Sequence, residues 1–161
     1  MDSSQDEQTI RFEREFRTRT GECLVNKKEF SQIRRDLGKT QKQMAQLLGT
    51  SLKAVQSFEQ GWRDIPLPVE RQALFLMALK SFQNKGTRPC WVMKRCSEKT
   101  RLECPAWEFQ AGHLCWFING TFCGGKVQKS WQGKMEICRQ CAVFVSLFTP
   151  TPGRKGGEGN G

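Results

Sequence analysis

The sequence predicts a mainly α-helical protein built from two small domains, and three observations lead to this expectation. The chain has 161 residues, a length that suits one ordinary domain or two small ones. Apolar residues recur at helical spacing over residues 30–83, which predicts about four to five helices there. Seven of the 8 cysteines fall between Cys90 and Cys141. We therefore expect a helical domain at 30–83 and a small, metal-stapled Cys-rich domain at 90–148.

Residues 1–29 form an N-terminal arm whose pattern does not decide between helix and strand. Ile10 and Phe12 alternate as they would in a strand, whereas Phe12 and Phe16 have helical spacing. Cys23 stands apart from the other cysteines and is expected to be a bystander thiol.

Two short helices joined by a tight turn are predicted at residues 41–60. Thr40 is a suitable N-cap for the first helix, and its apolar face consists of Met44, Leu47 and Leu48. Gly49 tolerates the positive φ that ends a helix, and Ser51 is a suitable N-cap for the second. Val55 and Phe58 are expected to pack against the first helix. The outward positions are then Leu52, Lys53, Gln56 and Ser57.

The stretch TQKQMAQLLGTSLKAVQSFEQG resembles the Cro/C1-type (XRE) helix-turn-helix, and with the preceding helix the resemblance covers about a third of the chain. The matching positions are Gln41, Met44, Ala45, Leu48, Gly49, Val55, Phe58, Glu59 and Gly61, with Ile33 and Leu37 in the preceding helix. Thr50 departs from the family, which usually has an apolar residue at this turn position. The resemblance implies a lambda-repressor-like domain that binds double-stranded DNA. A plain helical hairpin has similar spacing and is the alternative.

The resemblance also implies which residues contact DNA. The second helix, from Ser51 to Gln60, would lie in the major groove with its N-terminal residues on base edges. Gln41 would contact phosphate from a helix N-terminus, and Arg63 is a second candidate phosphate contact. The expected DNA-binding residues are Gln41, Ser51, Leu52, Lys53, Gln56, Ser57 and Arg63. A single reading helix suggests a homodimer on a palindromic site.

The charge distribution agrees with a polyanionic partner. The formal net charge is +10, and the basic excess lies on both expected domains. The arginines of the arm are either solvated among acidic residues or in contact with DNA phosphates or a minor groove; they are Arg11, Arg14, Arg17 and Arg19.

A longer helix is predicted to follow the reading helix, with Pro68 near its start. Its broad apolar stripe packs in the core or contributes in part to a dimer face, and consists of Ala73, Leu74, Leu76, Met77, Ala78 and Phe82. Residues 84–89 then form a linker, because Gly86 can end a helix and Pro89 can open the next unit.

The Cys-rich segment is too short to bury enough apolar area for a secure fold, so we expect a staple. Cytoplasmic thiols stay reduced, which favours a bound metal over disulfides. In CRQC the two-residue gap lets the thiolates of Cys138 and Cys141 reach one ion. The candidate ligands are Cys90, Cys96, Cys104, Cys115, Cys123, Cys138 and Cys141. A type I′ turn at Asn119-Gly120 predicts a β-hairpin in this domain.

Two Cys-Trp pairs, Cys90-Trp91 and Cys115-Trp116, together with Cys104-Pro105 and CRQC, resemble the Cys-rich "two-CW" module of bacterial sensory and regulatory proteins. Zinc and an iron–sulfur cluster both suit four thiolates, and the irregular spacing favours a cluster slightly. His113 is either a further ligand or a surface residue of the hairpin. Most tryptophans of this segment are expected in its core.

The chain contains no apolar run long enough to span a membrane, and its N-terminus lacks a signal-peptide pattern, so we expect a cytoplasmic protein. The Pro/Gly-rich tail at 149–161 is expected to be disordered. The expected function is a sequence-specific DNA-binding transcriptional regulator, not an enzyme, whose Cys-rich domain binds a metal or an iron–sulfur cluster and senses redox state. The alternative is an antitoxin-like or partner-binding interaction protein with a structural zinc domain.

Overall fold

The computed structural model describes residues 25–84 and 88–148, and these residues are mainly helical, as the sequence predicts. Within these ranges the elements are α1 Lys27–Asp36, α2 Gln41–Leu47, α3 Leu52–Gln60, α4 Leu67–Asn84, α5 Cys90–Met93, α6 Glu98–Leu102, α7 Pro105–Glu108, β1 Phe122–Cys123, β2 Lys126–Val127, α8 Trp131–Cys138 and α9 Ala142–Phe148. None of the described helices has both the length and the apolar character needed to cross a membrane.

Helices α2 and α3 begin at the caps that the sequence predicts. The Thr40 hydroxyl accepts from the N–H of Gln43, whose side chain accepts in return from the N–H of Thr40 at 3.0 Å. The Ser51 hydroxyl accepts from the N–H of Ala54 at 3.1 Å. Gly49, between the helices, has a φ of 63°. Both caps and the tight turn are therefore confirmed.

Helix α1 begins at Lys27, before the predicted start of the helical domain at residue 30. The cause is a second capping box, because Asn26 accepts from the N–H of Glu29 while the Glu29 carboxylate accepts from the N–H of Asn26 at 2.9 Å. Residues 1–24 of the predicted arm, including its four arginines and Cys23, lie outside the described residues. So do residues 85–87 of the predicted linker and the predicted tail at 149–161.

The predicted β-hairpin is present, but its turn is at Gly124-Gly125 and not at Asn119-Gly120. Strands β1 and β2 pair antiparallel, with Cys123 opposite Lys126. Gly124 and Gly125 have φ values of 62° and 75°. A type I′ turn needs positive φ at both central residues, and two glycines adopt it with less strain than Asn-Gly.

One hydrophobic core joins the helical segment to the Cys-rich segment. Helix α9 packs on α4, and the buried side chains of both segments form a continuous cluster. The helical segment contributes Phe30, Met44, Val55, Leu74 and Ala78, among others, and the Cys-rich segment contributes Trp116, Trp131, Met135, Phe144, Leu147 and Phe148. Trp116 is fully buried and meets Phe144 edge-on, with 5.4 Å between ring centroids. The expected core role is thus confirmed for Trp116 and Trp131.

Polar contacts cross the same boundary. The Arg71 guanidinium donates to the carbonyl of Phe117 at 3.0 Å, and its Cζ lies 4.7 Å from the centre of the Phe117 ring and 4.9 Å from that of Trp131. Arg139 on the Cys-rich side pairs with Glu29 of α1 at 3.5 Å, in a buried position. Burial lowers the pKa of Arg139, and the Glu29 carboxylate partly offsets that effect. The two segments are therefore connected by specific polar contacts as well as by apolar packing.

Candidate nucleic-acid interface

Helices α2 and α3 form a packed hairpin that presents one face of α3 to solvent. Met44, Ala45, Val55 and Phe58 are buried at the contact between the two helices and α1. The ring of Phe58 meets that of Phe30 on α1 edge-on, with centroids 5.8 Å apart. These contacts fix the orientation of α3, as the apolar spacing of the sequence predicts.

An open groove of about 600 Å³ runs along the outward face of α3. Its lining consists of Leu52, Lys53, Gln56, Ser57, Gln60 and Trp62. Leu52 is 41% exposed and Trp62 is 78% exposed, so apolar surface is presented near each end of the helix. Lys53 and Gln60 are exposed between them, and Gln56 is half-buried.

Besides the cap residue Ser51, two residues expected to contact DNA make hydrogen bonds within the protein. Ser57 is only 8% exposed, and its hydroxyl donates to the carbonyl of Lys53 at 2.8 Å. Ser57 therefore lines the groove but is buried rather than exposed as the spacing predicts, because its hydroxyl donates back to its own helix. The side-chain amide of Gln41 donates to the Glu59 carboxylate at 2.7 Å. This bond ties the N-terminus of α2 to the end of α3.

Glu59 is the centre of a small polar network behind the reading helix. Arg34 on α1 donates to both of its oxygens, with Nη2 at 3.2 Å from Oε2. Burial alone would raise the pKa of Glu59, but the hydrogen bonds from Arg34 and Gln41 outweigh it and hold the pKa below its ordinary value. Arg34 also donates to the carbonyl of Lys39 at 2.9 Å, so α1, α2 and α3 are connected here.

Basic side chains surround the C-terminal end of α3. Gly61 ends the helix with a φ of 77°, and a Cβ at this position would lie 2.8 Å from Cδ of Lys27. The Lys27 side chain therefore lies against Gly61, beside the exposed Trp62. Arg63 is exposed, as expected for a phosphate contact, and Ser51 is exposed while it caps the helix.

The sequence pattern did not identify Gln60 and Trp62 as part of this surface. Trp62 follows the glycine that ends the helix, so helical periodicity does not extend to it. Val55 and Phe58 are at helical spacing from Trp62, but Gly61 ends the helix before it, and Trp62 is therefore exposed rather than packed with them. We therefore add both residues to the candidate interface.

The cysteines of the second segment gather in one region without forming a closed site. Cys115 is buried with Ala106 and Val143, and three further thiols pack against this small cluster: Cys90, Cys104 and Cys141. Cys138 is buried in the main core, whereas Cys96 and Cys123 are half-buried outside both clusters. Among the described residues, no group of three or more His, Cys, Asp or Glu side chains converges closely enough to hold a metal ion.

The thiols differ in how readily they ionise. The Cys115 thiol is hydrogen-bonded to Cys90 and lowers the Cys90 pKa, while the same contact and burial raise the pKa of Cys115. Burial raises the pKa of Cys138 to about 12 and also raises those of Cys96 and Cys123. The pKa of Cys90 is thus lowered, whereas those of Cys96, Cys115, Cys123 and Cys138 are raised.

Lys134 and His113 are two further polar side chains of the Cys-rich segment, and only Lys134 lies near the thiols. Lys134 is fully buried, and its ammonium donates to the hydroxyl of the buried Thr121. It lies close enough to Cys123 and Cys138 to favour their thiolate forms. The ring centroid of His113 lies 5.4 Å from that of Phe82 on α4, and burial lowers the His113 pKa. His113 is therefore placed against the helical segment.

Comparison of the chain with protein-family models, with characterised proteins and with solved structures finds no match in any of the three.

Proposed function

We propose that the protein is a transcriptional regulator that binds double-stranded DNA with α3 in the major groove. The observation that supports this is the exposed face of α3, held on a scaffold of α1 and α2 by buried apolar contacts and by the Arg34–Glu59–Gln41 network. An α-helix fits the width of the major groove, and a scaffold of this kind keeps its orientation fixed.

In this proposal the side chains of α3 divide into two roles. Leu52, Lys53 and Gln56 contact base edges, because they line the outward groove near the N-terminal and middle parts of the helix. Arg63 and Lys27 contact phosphates beside it. Ser51, Ser57 and Gln41 act in the scaffold through their bonds within the protein, with Ser51 as the cap of α3. A homodimer would place two such helices about one DNA turn apart on a palindromic site.

The experiment is enrichment of duplexes from a randomised pool, followed by titration of the enriched and shuffled duplexes. Lys53→Ala should weaken binding to the enriched duplex by about 1–3 kcal/mol and binding to the shuffled one by less, because its role is base readout. Lys94→Ala changes an exposed lysine of the Cys-rich segment and is the matched control. Affinity should fall steeply with salt. A protein that enriches no duplex at low salt would instead fit the partner-binding alternative.

We further propose that the Cys-rich segment binds zinc or an iron–sulfur cluster through Cys90, Cys104, Cys115 and Cys141. The supporting observation is that these four thiols pack around the same small apolar cluster. Thiolates are the ligands that both centres require. In the present arrangement the thiols do not converge on one point, so binding would have to draw them together. Metal analysis of protein purified without oxygen tests this proposal.

The shared hydrophobic core connects the proposed DNA-binding surface to the proposed metal-binding segment. Because α9 packs on α4, a change of order in the Cys-rich segment would be transmitted to the helical segment. We therefore propose that the metal or redox state changes DNA affinity, by the factor of about 5 to 150 that is typical of coupled sites. Titration of one enriched duplex with reduced, metal-loaded protein and with metal-stripped protein measures this factor.

A further inference from the structure

We propose that the groove along α3 recognises thymine, with Leu52 and Trp62 contacting the 5-methyl groups that thymines present in the major groove. This inference rests on the proposed DNA binding and narrows it to duplexes that have thymine at the contacted positions. It also assigns Trp62 a role in specificity.

The length of the groove suits several consecutive base pairs. Leu52 is the first residue of α3, and Trp62 follows the glycine after its last residue. From Leu52 to Gln60 the helix rises about 12 Å, at roughly 1.5 Å per residue. Base pairs are stacked about 3.4 Å apart, so the helix extends over about three to four of them. Leu52 and Trp62 therefore reach different base pairs of the same half-site.

The chemistry of the lining distinguishes thymine from the other bases. In the major groove the only apolar group on a base edge is the thymine methyl, whereas the other groups are hydrogen-bond donors and acceptors. Leu52 has no polar side-chain atom, and most of the indole of Trp62 is apolar, so neither is suited to pair with such groups. Between them, Lys53 suits the acceptors of guanine and Gln56 suits the paired donor and acceptor of adenine.

The charge around the groove favours DNA over an apolar protein segment as its occupant. Lys53 lies within the groove, and Lys27 and Arg63 lie at its C-terminal end. Glu59, the acidic residue of α3, is held by Arg34 and Gln41 behind the helix. Asp64 is exposed one residue beyond Arg63 and is the acidic side chain next along the chain. Three cations beside an apolar groove match thymine methyls flanked by phosphates.

The test uses the duplex enriched from the randomised pool, in which each thymine is replaced in turn by deoxyuridine. This change removes the methyl and leaves the Watson–Crick pairing intact. Loss of a contacted methyl should weaken binding about fourfold, the factor expected for one buried methyl-sized group. Leu52→Ala and Trp62→Ala should each abolish the penalty at its own thymine. The matched controls are Leu102→Ala and Phe109→Ala, at positions that are 72% and 68% exposed.

The possible outcomes separate thymine recognition from DNA binding itself. A fourfold penalty that disappears in Leu52→Ala or Trp62→Ala, but persists in both controls, supports thymine recognition. Enriched half-sites without thymine, or a penalty that persists in both groove variants, would overturn it while DNA binding stands. If no duplex is enriched at all, DNA binding fails and thymine recognition fails with it. All four positions are exposed, and circular dichroism of each variant checks that it is folded.

Discussion

The carboxylate of Glu70 accepts a hydrogen bond from the indole of Trp131 at 2.9 Å, although 61 residues separate them in the chain. Its other oxygen accepts from the N–H of Val25 at 3.1 Å, and all three residues are buried. The side chain of Glu70 on α4 is therefore hydrogen-bonded both to Trp131, at the start of α8, and to the backbone of Val25, just before α1. Both donors would be left without this acceptor if the carboxylate were removed.

Glu70→Ala should destabilise the protein by about 2–4 kcal/mol, because two buried donors lose their acceptor. Glu70→Gln keeps the size and one acceptor, so it should cost less than the alanine variant. Urea denaturation, followed by circular dichroism and by tryptophan fluorescence, measures both. A Glu70→Ala variant as stable as wild type would show that the two hydrogen bonds contribute nothing.

The shared core predicts that the two segments unfold together. Trp116→Ala should cost about 3–5 kcal/mol, since it removes the largest fully buried side chain of the common cluster. The helical circular dichroism signal should be lost at the same denaturant concentration as the tryptophan fluorescence. Trp62→Ala, at an exposed position, should change stability by less than about 0.5 kcal/mol. Two separate transitions would mean that the segments are independent folding units.

Local features of the fold could be predicted from the sequence, but long-range contacts could not. The caps at Thr40 and Ser51 depend on residues three positions apart, which a pattern can show. The Glu70–Trp131 bond joins residues far apart in the chain, and no local pattern encodes such a pair. The sequence contains two candidate turns, Asn119-Gly120 and Gly124-Gly125, and the predicted position of the hairpin turn was the wrong one of the two. Gly124-Gly125 adopts the positive φ values with less strain.

In the candidate interface, too, some features follow from local helical spacing and others do not. Leu52 and Lys53 lie on the outward face, as helical spacing predicts, because that spacing is a property of the helix alone. The exposure predicted for Ser57 is wrong, because its hydroxyl donates to the carbonyl of Lys53 on its own helix and the residue is buried. Trp62 was missed because it lies beyond the regular helix.

The pKa of Glu59 predicts how stability depends on pH. Its folded pKa lies below the ordinary value of 4.5, because the hydrogen bonds from Arg34 and Gln41 outweigh the effect of burial. A lowered folded pKa contributes stability that is fully present above the unfolded pKa and is lost as the pH falls through the folded value. Glu59→Gln should therefore be less stable than wild type at neutral pH, and the difference should shrink below pH 4.5.

Denaturant melts across that pH range measure the difference. Glu108→Gln, which changes an exposed glutamate of α7, is the control and should show little difference at any pH. If the difference in unfolding free energy between Glu59→Gln and wild type stays constant down to the lowest pH, the network around Glu59 does not stabilise its ionised form.

We predict that only some of the cysteines are needed for metal binding. After reconstitution with zinc, or with iron and sulfide without oxygen, Cys104→Ser and Cys141→Ser should lower the bound metal, because these thiols pack on the small cluster around Cys115. Cys96→Ser should leave it unchanged, since Cys96 lies outside that cluster. Metal per chain by elemental analysis is the measurement. Equal metal content in all three variants would rule out this ligand set.

Titration of isotope-labelled protein with the enriched duplex, followed through its NMR signals, shows whether α3 enters duplex DNA. The amides of residues 51–60 and the indole N–H of Trp62 should shift most, because this face makes the contacts. Amides of α6 and α7, on the Cys-rich segment, should move little. Shifts confined to the Cys-rich segment, with α3 unchanged at saturation, would contradict the proposed function.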